Sequence, residues 1–159
     1  MADLLVALYS LADPRPAVER AAAGGVAVRR AHPAERSLVT DWVGTTFSRG
    51  WADECAVAFA RTPAACFLAE RSGALCGFAC HGVVCPDFFG PFGVAEAERG
   101  RGIGEALLRI TLDSLRAAGF AYGIIGWSGA TAYFEKTVGA RPIEGSEPGP
   151  YRGLLQNPR

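Results

Sequence analysis

Lysine is nearly absent from this chain of 159 residues: Lys136 is the only one, and the other 15 of its 16 basic residues are arginines. A nucleotide-binding loop of the form Gly-x-x-x-x-Gly-Lys-Ser/Thr is thereby excluded, because Lys136 follows no such run of glycines. The chain also lacks a net charge, with 16 basic against 16 acidic residues. It therefore offers no basic excess for a polyanionic partner, and nucleic acid is not expected. No apolar run approaches the roughly 20 residues that a membrane-crossing helix needs. Leu4 to Leu11 is apolar, with Ser10-Leu11-Ala12 after it, but Asp3 stands where a signal peptide carries basic residues. A cytoplasmic protein without a cleaved leader is expected. Arginine in place of lysine, with abundant alanine and glycine, matches the codon usage of a GC-rich genome. Thermal adaptation would instead enrich lysine and glutamate.

Histidine is scarce too, with two residues, and the five cysteines are odd in number. Cys55, Cys66, Cys76, Cys80 and Cys85 all lie in apolar surroundings. Cys76 and Cys80 fall in one strand-like run, about 13 Å apart, too far for a shared metal or a disulfide. His81 points to the opposite face from Cys80. Reduced, buried thiols that act as small hydrophobes are expected, and no metal.

What is present is ordinary globular composition, half hydrophobic and a fifth charged. No repeat, linker or low-complexity stretch divides it. The pattern predicts strands at Leu4–Tyr9, Val26–Ala31, Ala65–Arg71, Leu75–Val84, Phe88–Val94, Ala121–Trp127, Arg141–Glu144 and Tyr151–Leu155. It predicts helices from Pro14 or Pro16 to Ala23, from His32-Pro33-Ala34-Glu35 onward with Leu38, Trp42 and Val43 on one face, and over Ala52–Ala60, 102–117 and Ala130–Val138. Arg49-Gly50-Trp51 reads as a turn. Gly90-Pro91, inside an apolar strand, implies a bulge or an unpaired backbone position. On helix 102–117 the polar residues Glu105, Arg109, Asp113 and Arg116 project within an arc of about 80°, so most of that helix is buried against a sheet. One α/β domain follows.

The chemistry concentrates in Arg99-Gly100-Arg101-Gly102-Ile103-Gly104, between a strand and that buried helix. Three glycines let a ligand approach the backbone amides closely. At a helix N-terminus those amides and the helix dipole favour an anion such as a pyrophosphate. Arg99 and Arg101 add charge that pairs with phosphate. A dinucleotide fingerprint fails, since the positions that need a small residue hold Ile103 or Leu107.

Arg99, Gly102 and Gly104 resemble the Arg/Gln-x-x-Gly-x-Gly/Ala signature of the GNAT N-acetyltransferase superfamily. The strand ending Phe92-Gly93-Val94, the strand ending Ile125-Gly126-Trp127-Ser128 and the segment Ala132-Tyr133-Phe134-Glu135-Lys136 are similar to that family's arrangement, over residues 26 to 155. The resemblance implies a single-domain GNAT-like fold, a mixed, mostly antiparallel central sheet flanked by helices. Residues 1–24 would add an N-terminal strand and helix, extending the sheet edge or supporting a homodimer, beside an acetyltransferase domain at 25–159.

The resemblance further implies acetyl-CoA as cosubstrate, with no metal, and direct acetyl transfer to the primary amine of a small molecule. Gly100, Arg101, Gly102, Ile103 and Gly104 would hold its pyrophosphate with Arg99. Phe92, Gly93 and Val94 would line the pantetheine arm, a backbone amide near Val94 facing the thioester oxygen, and Ser128 would reach the same arm. Phe134 falls where the family often has its acidic tyrosine. Tyr133, one residue earlier and turned by about 100°, is the catalytic candidate, with Tyr151 as second. Glu54, Asp87, Glu96 and His81 are candidate bases, and Trp42, Phe47 and Trp51 candidate walls of an acceptor pocket. A displaced tyrosine and no evident base also suit an acetyl-CoA-binding regulatory module without catalysis.

Overall fold

A computed structural model describes residues 1–155. Among these, seven strands form one sheet: β1 (Leu4–Ala7), β2 (Ala27–Arg30), β3 (Cys66–Arg71), β4 (Ala74–His81), β5 (Phe88–Val94), β6 (Tyr122–Ile125) and β7 (Arg141–Pro142), in the order β2-β3-β4-β5-β6-β1-β7. All pairings are antiparallel except β5 with β6. Five helices cover it: α1 (Arg15–Ala23), α2 (Arg36–Thr46), α3 (Arg49–Phe59), α4 (Ile103–Ala117) and α5 (Thr131–Val138). The mixed, mostly antiparallel sheet is the expected one. The last four residues of the 25–159 unit lie outside the described residues.

Each face of the sheet has its own core. α4 buries Leu107, Leu108, Leu112 and Leu115 against one face, with α1 beside it. Each such side chain removed from water is worth about 1.5–3 kcal/mol, so α4 is the chief fastening of that layer. On the other face Val39 and Val43 of α2 and Cys55, Ala58 and Phe59 of α3 pack over Cys66, Leu68, Phe78 and Cys80.

Several expectations shift by a few residues. Leu38 is 65% exposed, and the buried stripe of α2 runs through Val39 and Val43 instead. Arg49-Gly50-Trp51 is the first turn of α3, capped by Ser48, whose Oγ accepts the Trp51 N–H at 3.2 Å. Tyr151–Leu155 forms no strand: a 3-10 turn covers Gly149–Tyr151, where Gly149 and Pro150 disfavour extension. The first strand ends at Ala7, the rest of its apolar run closing as a 3-10 turn over Leu8–Ser10. It lies between β6 and β7, so residues 1–24 widen the sheet beyond β6, and Leu4, Val6 and Leu8 are fully enclosed in the main core.

The site is positioned by a parting of strands. β5 pairs with β6 only at Phe88–Ile124 and Phe89–Ile125. Next comes Gly90 at φ +123°, then Pro91, which has no N–H to donate. The β4–β5 register is irregular at the same level, between Ala79 and His81. From there to Val94 the two parallel strands diverge, as the proline implied.

Candidate active site

The divergence opens a groove with a cavity volume of about 1070 Å³. One end is the turn before α4. Gly100 and Gly102 take left-handed conformations, φ +77° and +78°, and the space their side chains would fill is open. The Ala106 amide donates to the Gly102 carbonyl at 3.1 Å and starts the helical ladder, so the amides ahead of it have no intrahelical partner. Arg99 closes this end, its Nε donating to the Val94 carbonyl at 3.2 Å and tying the loop to the end of β5.

The middle of the groove is apolar. Phe92, Gly93, Val94, Ile103 and Gly104 line it, with Tyr133 and Phe134 from α5. Phe134 is buried, its ring 6.3 Å from Phe89 and 6.1 Å from Phe92. Gly93 is needed for a different reason from the loop glycines: a side chain there would meet the Phe47 ring at 2.6 Å. The Tyr133 hydroxyl stands over Gly104, 3.1 Å from where a side chain would begin. Burial, then the Glu105 carboxylate, raises its pKa.

The far end lies where β5 and β6 still pair. Trp51 and Glu54 of α3, Val84, Phe88, Trp127 and Tyr151 line it. Trp127 and Tyr151 stack at 5.0 Å and 15°. Trp127 takes a left-handed φ of +49°, and its amide donates to Asp3 Oδ1 at 2.8 Å. The Tyr151 hydroxyl reaches the Gly126 backbone. Its pKa is pushed up to about 12 by burial, with the charges of Glu54 and Asp3 adding to it. Burial also raises the carboxyl of Glu54.

The groove thus gathers Phe92, Gly93, Val94, Arg99, Gly100, Gly102, Ile103, Gly104, Ser128, Tyr133, Phe134, Tyr151 and Glu54. Arg101 is not among its lining residues: its Nε approaches Glu98 at 3.9 Å, and the side chain is more than half exposed. Ser128 lines the groove, and its Oγ accepts the Ala130 N–H at 3.2 Å. Asp87, Glu96 and His81 do not line it. The His81 Nε2 lies 3.0 Å from Ser114 Oγ, on the α4 side of the sheet, and burial lowers its pKa to about 4. Of the three proposed aromatic walls only Trp51 reaches the groove; Trp42 and Phe47 pack on Phe78 in the core behind it. Sequence reasoning missed Trp127, Lys136 and the anchoring Asp3. Only the Gly126-Trp127 step at a strand end hinted at the first.

A profile of the acetyltransferase (GNAT) family matches residues 36–140. The chain belongs to that family. No curated protein matches it in sequence. Among solved structures, it is similar to the GCN5-related glucosamine N-acetyltransferase region of a fungal multi-domain GH3 β-N-acetylglucosaminidase, with a TM-score of 0.71 and 15% identity over 89% of this chain and 19% of that one. A GCN5-related N-acetyltransferase from Sphaerobacter thermophilus gives 0.58 and 18%, over 89% and 48%. A GNAT family acetyltransferase from Brucella melitensis, solved with acetyl-CoA, gives 0.54 and 22%, over 69% and 80%. At these identities the likeness is one of fold, and the GNAT chain described here spans under half of the first two proteins. No helix among its described residues is long and apolar enough to cross a membrane.

Proposed function

We propose that this GNAT chain transfers the acetyl group of acetyl-CoA to the primary amine of a small molecule. One observation carries the reading: a single groove leads from open, left-handed glycines at the start of α4, along a parted β5, to the half-buried carboxylate of Glu54. The coenzyme fits the residues present. Gly100, Gly102 and the amides opening α4 offer donors to its pyrophosphate, with Arg99 beside them and Lys136 on the same wall. Phe92, Val94, Ile103 and Phe134 give its slender arm an apolar channel, and Ser128 a polar contact. When bound, acetyl-CoA supplies an activated acyl group.

The chain's own residues do the rest. Glu54, raised by burial, accepts the proton that the amine gives up. Tyr151 faces Glu54 across the same end, whereas Tyr133 faces Glu105 and Arg109. Tyr151 therefore takes the role of donor to the departing sulfur: with its pKa at about 12 it keeps its proton at neutral pH. Tyr133 is assigned to the channel wall. The acceptor is a primary amine with an apolar body and no acidic group. Trp51, Val84, Phe88 and the Trp127–Tyr151 stack surround the carboxylate, while among the described residues the only arginine and lysine that line the groove are Arg99 on the loop and Lys136 on α5.

Calorimetric titration with acetyl-CoA, with NADH and ATP as controls, tests the coenzyme. Selective binding is expected, and none by folded protein would overturn the reading. Thiol release over a panel of amines then tests transfer. Binding without turnover on any amine would leave a coenzyme-binding module.

A further inference from the structure

Three of the five cysteines meet in the core behind the Glu54 end of the groove. Cys55 comes from α3, and Cys66 and Cys80 from directly opposed positions on β3 and β4. All three are fully enclosed, and their sulfurs lie within 4.8 Å of one another, with Cys80 and Cys55 at 3.8 Å. The His81 N–H donates to the Ala65 carbonyl at 3.0 Å, which makes Cys66 and Cys80 a non-hydrogen-bonded cross-strand pair, the kind whose side chains stand closest. Three sulfurs that share a central atom at about 2.3 Å are separated by about 3.5 Å around a pyramidal centre and about 4 Å around a planar one, so the trio needs only modest rearrangement to hold one. The separation of Cys76 and Cys80 along one strand concealed this cluster, because the two added thiols come from other elements.

The surroundings select the ligand. Among the described residues no further histidine, cysteine or carboxylate joins the three, so the fourth ligand that zinc favours is missing. Among the described residues the only other charge that acts on them is the Glu35 carboxylate, and no arginine or lysine does. A divalent cation bound by three thiolates would leave a net negative charge in this apolar core, which is costly without a partner. A trivalent centre leaves none.

We propose that Cys55, Cys66 and Cys80 form a binding site for a trivalent thiophilic metalloid, as arsenite presents it. In the binding step three arsenic–oxygen bonds of As(OH)₃ break and three arsenic–sulfur bonds form. Each thiol proton leaves in a water molecule, and nothing is oxidised or reduced. Cys55 follows Glu54 in α3, which also carries Trp51, so an occupied site fixes the helix that builds the acceptor end of the groove. That consequence rests on the transferase reading; the binding itself does not.

The test incubates the intact protein with arsenite, desalts it and weighs it by native mass spectrometry. One arsenic per chain, with the loss of three protons, is expected. X-ray absorption is expected to show three sulfur neighbours and no oxygen. Cys66→Ala and Cys80→Ala are each expected to lose retention, and a Cys76→Ala/Cys85→Ala double variant to keep it. No arsenic retained by folded wild-type protein, or a centre with two sulfurs and an oxygen, would overturn the proposal whether or not the single variants fold. Zinc retained through dialysis against a chelator would overturn the choice of ligand. Slowed amine turnover in arsenic-loaded protein, with acetyl-CoA binding unchanged, would tie the site to α3. Unchanged turnover would remove that tie.

Discussion

Gly102 sits at φ +78° with open space where a side chain would begin, so its value lies in backbone conformation and in access to the amides behind it. Gly102→Ala is expected to cost about 1–2 kcal/mol through left-handed strain alone. Gly102→Asp adds a carboxylate where the phosphates would lie, and calorimetry should find acetyl-CoA binding weakened well beyond the alanine variant. Equal affinities would place the coenzyme elsewhere. Glu54 is a base only when ionised, and burial raises its pKa, so activity should fall as pH drops through a value above the ordinary glutamate range. Glu54→Gln should remove that limb of the pH–rate profile and lower kcat by about 10²-fold or more. The two tyrosines separate by kinetics. Tyr151→Phe is expected to lower kcat with little change in KM for acetyl-CoA, and Tyr133→Phe to raise that KM. The reverse pattern would return the proton-donating role to Tyr133.

At the scale of elements, the groove exists because one strand pair stops pairing. Pro91 removes a donor from β5, Gly90 turns the chain, and β6 is left joined at two positions. The N-terminal strand matters here in a way its sequence concealed. Its apolar run suggested an appended strand, yet Leu4 and Leu8 fill the same core as α4, and Asp3 holds the amide of Trp127 at the groove's far end. Leu4→Ala is expected to destabilise the chain by about 2–5 kcal/mol in urea unfolding, the range for an aliphatic side chain deleted from a filled core. A change below 1 kcal/mol, by the same rule, would show the strand to be peripheral. α3 starts at Arg49 rather than at the expected Ala52 for a local reason. Gly50 after Arg49 has the composition of a turn, but the Ser48 cap and the burial of Cys55 and Phe59 pull that turn into the helix.

For the whole molecule, pH acts through His81. Burial lowers its pKa from the ordinary 6.5 to about 4, with Arg30 and Arg61 contributing. Between those values the unfolded chain binds the proton and the folded one does not, so stability is complete above 6.5 and is lost as pH falls toward about 4. Unfolding free energy measured across that window should decline in the wild type, and most of the slope should vanish in His81→Asn. Glu35, held at about 2 by its hydrogen bond to Arg29, contributes a separate loss below the ordinary carboxylate range. A flat wild-type profile between pH 4 and 6.5 would mean that His81 is protonated in the folded core.

By itself the sequence determined the features that depend on local spacing. The narrow polar arc of α4 dictated a buried helix, the glycines at 100 and 102 dictated a left-handed turn ahead of it, and Gly90-Pro91 dictated a break in the pairing of β5. These rest on backbone conformation and on periodicity, which neighbouring residues carry among themselves. Tertiary structure decided what meets at the ends of the groove: Glu54 rather than Asp87 or Glu96 near Tyr151, Trp51 without Trp42 or Phe47, Asp3 under Trp127, and three cysteines from three elements in one cluster. No spacing along the chain encodes such meetings. They arise because α3 packs over the sheet and β1 joins it between β6 and β7, and burying both apolar faces leaves the polar and sulfur-bearing side chains no other place to go.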